Sequence, residues 1–147
     1  MVKTAGRMRV CVSLLIFTLI FIWGNSMLPG QVSQQISGGA MSWFGFLVAS
    51  FGELGEKVLR KIAHLAEFAS LGLLLAIFFR LLKKDLTLPL LCGLTVACVD
   101  ETIQIYSPGR ASSLVDVWID MGGLALGMIL MLLGQFIMSK SLWRKQH

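Results

Sequence analysis

A chain of 147 residues amounts to one domain, but its 56% hydrophobic and 14% charged residues fall outside the roughly 45–50% and 25% of soluble domains. So much apolar surface in so short a chain excludes a water-soluble globule and requires a bilayer. The net charge of +5 does not indicate nucleic acid, because the Lys and Arg residues sit in short groups flanking apolar runs and no nucleic-acid motif is present.

A bilayer core about 30 Å thick needs about 20 mostly apolar helical residues. Four segments meet that length, at about 8–28, 62–82, 86–105 and 114–138. The fold class expected is therefore all-α, an integral membrane four-helix bundle formed by a single domain over 1–147. Segment one has a basic start (Lys3, Arg7, Arg9) and small residues Gly24 and Ser26, as a signal peptide would. Its bulky Phe17, Phe21 and Trp23, with Asn25 and Met27 at the break, favour an uncleaved anchor instead.

The connection between segments one and two is long. Residues 29–39 are rich in Gly, Ser and Gln and read as exposed coil. Residues 40–51 are apolar, with Met41, Phe44, Val48 and Phe51 at helical spacing. Twelve residues are too few to span, so an interfacial or re-entrant helix is expected there, with Trp43 and Phe46 at headgroup level. In segment four, Gly123 and Gly127 form a small-xxx-small pair, which suits packing within the chain or a homo-oligomer. Cys11, Cys92 and Cys98 all lie in apolar runs, and the odd count argues against a disulfide framework.

Nine of the thirteen Lys and Arg residues lie at or before the start of segment one, around the junction of segments two and three, or after segment four. The positive-inside rule then assigns both termini of a multi-pass chain to the cytoplasm. Of the acids, only Asp85 falls on the cytoplasmic side. Glu53, Glu56, Glu67, Asp100, Glu101, Asp116 and Asp120 all belong to the outer half.

Glu56, Arg60, His64 and Glu67 are spaced four, four and three apart, which makes one stripe entering segment two. Segment three ends with Asp100, Glu101 and Gln104, and segment four starts with Asp116 and Asp120 a turn apart. Between them, Ser107-Pro108-Gly109-Arg110 is a tight reversal. Three helices thus bring His, Glu, Asp and Gln to one outer depth with Arg110 above them. A carboxylate in the bilayer interior costs about 2.5–3.5 kcal/mol on insertion scales, so these groups should face one another or a wet cavity. In one reading they serve only as ties, Arg60 with Glu56 or Arg110 with Asp116. They also have the chemistry for a divalent-cation site, for a general base at His64 oriented by Glu67, and for phosphate or carboxylate recognition by Arg110. His147 is cytoplasmic and cannot complete a two-His site, so neither a metal nor another cofactor is specified.

These residues carry a resemblance. The run Arg60-Lys61-Ile62-Ala63-His64-Leu65-Ala66-Glu67-Phe68 resembles the Lys-x-x-His-x-x-Glu-[Tyr/Phe] block of the VanZ-like family of bacterial membrane proteins. Asp100-Glu101-Thr102-Ile103-Gln104 with Pro108-Gly109-Arg110 is similar to its Asp-Glu-x-x-Gln…Pro-x-Arg block. Asp116-Val117-Trp118-Ile119-Asp120 with Gly123 and Gly127, and the early Ser26-x-x-Pro29, also fit, so the likeness runs from about residue 10 to 137. It places the family's polar positions on Lys61, His64, Glu67, Asp100, Glu101, Gln104, Arg110, Asp116 and Asp120. Many relatives carry Asn where this chain has Asp120, which favours Asp116 for a role that needs a carboxylate. The resemblance implies a place in the bacterial cytoplasmic membrane, and the member that gave the family its name is linked to lowered susceptibility to teicoplanin, a glycopeptide that binds cell-wall precursors.

Together these readings predict an envelope protein whose outward-facing polar site binds or processes an anionic lipid or a lipid-linked wall precursor. His64, Glu67, Asp100, Glu101 and Asp116 are the candidate reacting groups, and Lys61, Gln104, Arg110 and Asp120 the candidate binding groups. The alternative is a non-catalytic structural or partner-binding bundle whose charges are interhelical ties. Transport is disfavoured, since no acid extends into the cytoplasmic half of any segment.

Overall fold

The computed structural model describes residues 2–29, 45–110 and 112–144. Among these residues it contains four helices and no strand: α1 (Val2–Met27), α2 (Gly45–Leu81), α3 (Thr87–Ile105) and α4 (Leu114–Arg144). Each includes a stretch long and apolar enough to cross a membrane: Ala5–Met27, Lys57–Leu81, Thr87–Ile105 and Leu114–Lys140. The chain is therefore a multi-pass membrane protein of all-α class. The expected coil at 29–39 lies outside the described residues after Pro29, as does the first part of the expected short helix at 40–51. The backbone of 45–51 is helical and is separated from the spanning part of α2 by a non-helical Gly52 (φ 53, ψ −133), a conformation only glycine adopts readily.

In α1, Val10, Phe17, Ile20 and Phe21 are exposed, as are Leu130, Leu133 and Ile137 of α4. In water such faces would be untenable; in a bilayer the solvent is as apolar as they are. The helices also satisfy their own lipid-facing hydroxyls. Thr18, Ser70, Thr95 and Thr102 each donate to the carbonyl four residues back, so no hydroxyl of these four is left unpaired in hydrocarbon.

Helix α2 is central. It packs against α1, α3 and most extensively against α4, and Phe68, Leu71, Ala76 and Leu124 of this core are fully buried. The α2–α4 contact is a backbone approach permitted by glycine. A Cβ on Gly123 would collide with the carbonyl of Leu65, one on Gly127 with that of Ala69, and one on Gly72 with that of Leu124. Gly122 and Gly134 face open space. The Gly123–Gly127 pair is thus used within the chain.

The α2–α3 connection is short because α2 ends in a Schellman turn. The N–H of Lys84 donates to the Phe79 carbonyl and that of Lys83 to the Arg80 carbonyl, with Lys83 at φ 56. The α3–α4 connection turns at Pro108 and Gly109, the latter at φ 74. Antiparallel packing through these tight links puts the end of α1, the start of the spanning part of α2, the end of α3 and the start of α4 at one end of the bundle. Exposed Tyr106 and Trp118 mark that end, as aromatic residues do at a membrane interface.

Candidate functional site

All four helices contribute polar side chains at that end. His64 follows Lys57 by seven residues, Asp100 precedes Ile105 by five, and Asp120 follows Leu114 by six. At 1.5 Å per residue, each lies about 8–10 Å inside its span. Asp100 and Asp120 are completely buried and His64 is 8% exposed.

Most of the polar groups are tied. Asp100 Oδ1 accepts from Ser26 Oγ at 2.6 Å and its Oδ2 from Gln104 Nε2 at 2.7 Å. Ser107 Oγ donates to the Ser26 carbonyl at 2.7 Å, and Asn25 Nδ2 donates to Glu67 Oε1 at 2.9 Å. Glu101 Oε2 accepts from Ser112 Oγ and from the Ser113 backbone N–H, both at 2.8 Å. That carboxylate thereby fixes the entry of α4, where the helix dipole favours negative charge.

One partnership suggested by the sequence differs in the structure. Arg110 does not pair with Asp116. Its Nε donates to the Leu28 carbonyl at 3.1 Å and its Nη2 to the Asn25 carbonyl at 2.7 Å, fastening the α3–α4 turn onto the end of α1. Asp116 instead meets Lys61 at 2.7 Å, in a pair whose side chains are 29% and 46% exposed. This bridge stands at the rim, outside the buried cluster. The Glu56 side chain, the suggested partner of Arg60, lies outside the described residues.

Burial and the charge of Arg60 push the Arg110 pKa down, while Asp100, Glu67 and Glu101 push it up. An arginine starts so high that it remains cationic.

A second group of atoms is buried without a hydrogen-bond partner: His64 Nδ1, both oxygens of Asp120, Glu67 Oε2, Glu101 Oε1 and Arg110 Nη1. Leaving such atoms unpaired costs about 1–3 kcal/mol each, and more when they are charged. His64 Nδ1 stands 3.7 Å from Asp120 Oδ1 and 3.9 Å from Asp100 Oδ2, too far to hydrogen-bond either. The three side chains present ligand atoms within 4.8 Å of one another, so they are the described residues placed to share a metal ion.

Residues 9–137 match the VanZ/LLP1 family. The chain belongs to that family. No curated protein and no solved structure matches it. The VanZ/LLP1 match takes in part or all of each of the four helices and every polar residue of this site. Of the positions assigned by resemblance, the structure brings His64, Glu67, Asp100, Glu101, Gln104, Asp120 and Arg110 together, and sets Lys61 and Asp116 apart as a rim pair. Asp120 is thus the buried acid of α4 and Asp116 the rim acid. Asn25 and Ser26 of α1, with Ser107 and Ser112, were not among the expected site residues of this VanZ/LLP1 protein. The available signal was depth: Asn25 and Ser26 occupy the last turn of α1, level with the acids of the other helices.

Proposed function

We propose that this VanZ/LLP1 protein acts in the bacterial envelope, and that its polar end binds the anionic group of a lipid or a lipid-linked wall precursor at the outer face of the cytoplasmic membrane. The observation that carries this reading is the second group of atoms above. A bundle held together by ties accounts for Asn25–Glu67, Ser26–Asp100–Gln104, Glu101–Ser112 and Lys61–Asp116. It gives no reason to bury His64 Nδ1, Asp120 and Arg110 Nη1 unpaired where each costs stability. A bound polar group would satisfy them.

The distribution of Lys and Arg supports an outward orientation with both termini cytoplasmic. Arg110 is the anion-recognising group in this reading. Two of its nitrogens are held by carbonyls, which fixes the guanidinium plane and leaves Nη1 to donate to a phosphate or carboxylate oxygen. His64 supplies a base beside the same position, so transfer or hydrolysis at the bound group is chemically available. The link of the family's name-giving member to teicoplanin supports a wall-precursor lipid over a bulk phospholipid, and lowered teicoplanin susceptibility is the phenotype proposed for the host.

Native mass spectrometry of the full chain in detergent tests the binding step. Titrated phosphatidic acid should be retained over phosphatidylcholine, and Arg110→Gln should weaken that retention about tenfold, the value of a charge-assisted hydrogen bond. Equal retention of the two lipids, or a folded Arg110→Gln chain that binds as the wild type does, would contradict the reading.

A further inference from the structure

An anion-binding site built around Glu67, Asp100, Glu101 and Asp120 raises an electrostatic problem, because these four carboxylates outnumber the guanidinium groups of Arg110 and Arg60 that act there. We infer that His64, Asp100 and Asp120 form a zinc site, one ligand from each of α2, α3 and α4, and that the ion gives this acidic end its affinity for an anionic group. The anion half of the inference rests on the function proposed above; the zinc half does not.

The geometry favours an ion over a direct contact. Ligand atoms about 2.1 Å from a tetrahedral zinc stand about 3.4 Å from one another. The two distances from His64, 3.7 and 3.9 Å, exceed that by a few tenths of an ångström, and all three ligand atoms lie within 4.8 Å of one another, so rotations of the ring and of the two carboxylates would bring them to a shared ion. Direct hydrogen bonds would need the His64 nitrogen several tenths closer than it stands. The two unpartnered groups, His64 Nδ1 and the Asp120 carboxylate, both point at this position, and both residues are more than nine-tenths buried.

The surroundings fit as well. Asp100 keeps a free lone pair on Oδ2 while Ser26 and Gln104 hold its two oxygens in place, the arrangement by which outer partners orient a metal-binding carboxylate. One imidazole and two carboxylates suit a borderline first-row ion. Magnesium and calcium prefer all-oxygen shells of six or more. Three protein ligands leave the fourth tetrahedral position open, so a phosphate or carboxylate oxygen can bind the ion directly. Arg110 lies near enough that its charge acts on His64 and Asp100, and its unpaired Nη1 is available for a second oxygen of the same group.

The test is zinc binding by the full chain, purified in detergent and stripped with chelator. Wild type is expected to take up one zinc per chain, measured by elemental analysis after desalting and by competition with a chromogenic chelator, and to melt at a higher temperature when loaded. Asp120→Asn keeps an oxygen and drops a charge, and should weaken zinc 10- to 100-fold; Asp120→Leu should abolish binding. His64→Gln provides an independent variant in case either fails to fold, and is also expected to weaken zinc at least 10-fold. Asp85→Asn, at the other end of the bundle, should bind as wild type does.

A wild-type chain that takes up no zinc, or folded Asp120→Leu and His64→Gln chains that bind it normally, overturns the site. Zinc uptake without retention of phosphatidic acid would leave the site standing and remove the function proposed above. Retention of phosphatidic acid unchanged by zinc removal would refute the bridging role alone.

Discussion

Gly127→Leu is expected to leave little folded protein, whereas Gly122→Leu, five residues earlier on the same helix, is expected to be tolerated. The difference lies in what each new side chain meets. A Cβ at 127 runs into the Ala69 carbonyl and the Leu73 backbone nitrogen of α2, while at 122 there is open space. Backbone cannot rotate away as a side chain can, so α2 and α4 must separate along their largest interface. Overpacking a core costs about 1–3 kcal/mol and sometimes more, and a collision with two backbone atoms belongs at or above the top of that range. In lipid, close packing of this kind is a principal force holding helices together. Thermal melting followed by fluorescence-detected size exclusion separates the cases. Gly127→Leu should aggregate at or below the growth temperature, with Gly122→Leu within a few degrees of wild type.

The second large effect is expected at Arg110. Replacement by Ala removes two hydrogen bonds to the carbonyls of Asn25 and Leu28 and the positive charge opposite Glu67, Asp100 and Glu101. Each charge-assisted bond contributes about 1.5–3 kcal/mol, and uncompensated buried carboxylates add to the loss. A destabilisation of about 3–5 kcal/mol follows. Arg110→Lys retains the charge but cannot span both carbonyls with a single ammonium. It should therefore recover part of the stability and leave the α3–α4 turn loosely held on α1. Melting temperatures of wild type, Arg110→Lys and Arg110→Ala should fall in that order. Coincident values for Lys and Ala would show that the fork geometry, rather than the charge, accounts for the whole effect.

Residue patterns disclosed the membrane class and the four spans because each apolar run has the length a bilayer requires, and the tight turn at Pro108–Gly109 has its own residue signature. The convergence of His64, Glu67, Asp100 and Asp120 was also legible, since antiparallel helices with short links bring known ends together. Partner choice was not. Asp116, Asp120, Gly123 and Gly127 share one stripe of α4, spaced four, three and four apart, so helical phase alone cannot separate the two acids. Depth does: Asp116 is two residues inside α4 and meets Lys61 at the rim, whereas Asp120 is a turn deeper, beside the glycines that draw α4 against α2. The partners of Arg110 were hidden for a different reason. They are backbone carbonyls, and carbonyls exposed by a helix end leave no mark on the side-chain sequence. The role of Ser26 was obscured because a small residue after an apolar run also suits a cleavage site.

The measurement that bears most directly on the central claim, that the unpartnered groups at the polar end carry the function, is teicoplanin susceptibility of a Gram-positive host expressing wild type or His64→Ala at matched membrane abundance. Wild type is predicted to lower susceptibility and His64→Ala to lose that protection while remaining in the membrane. Equal protection by the two would contradict the claim and make His64 part of the scaffold.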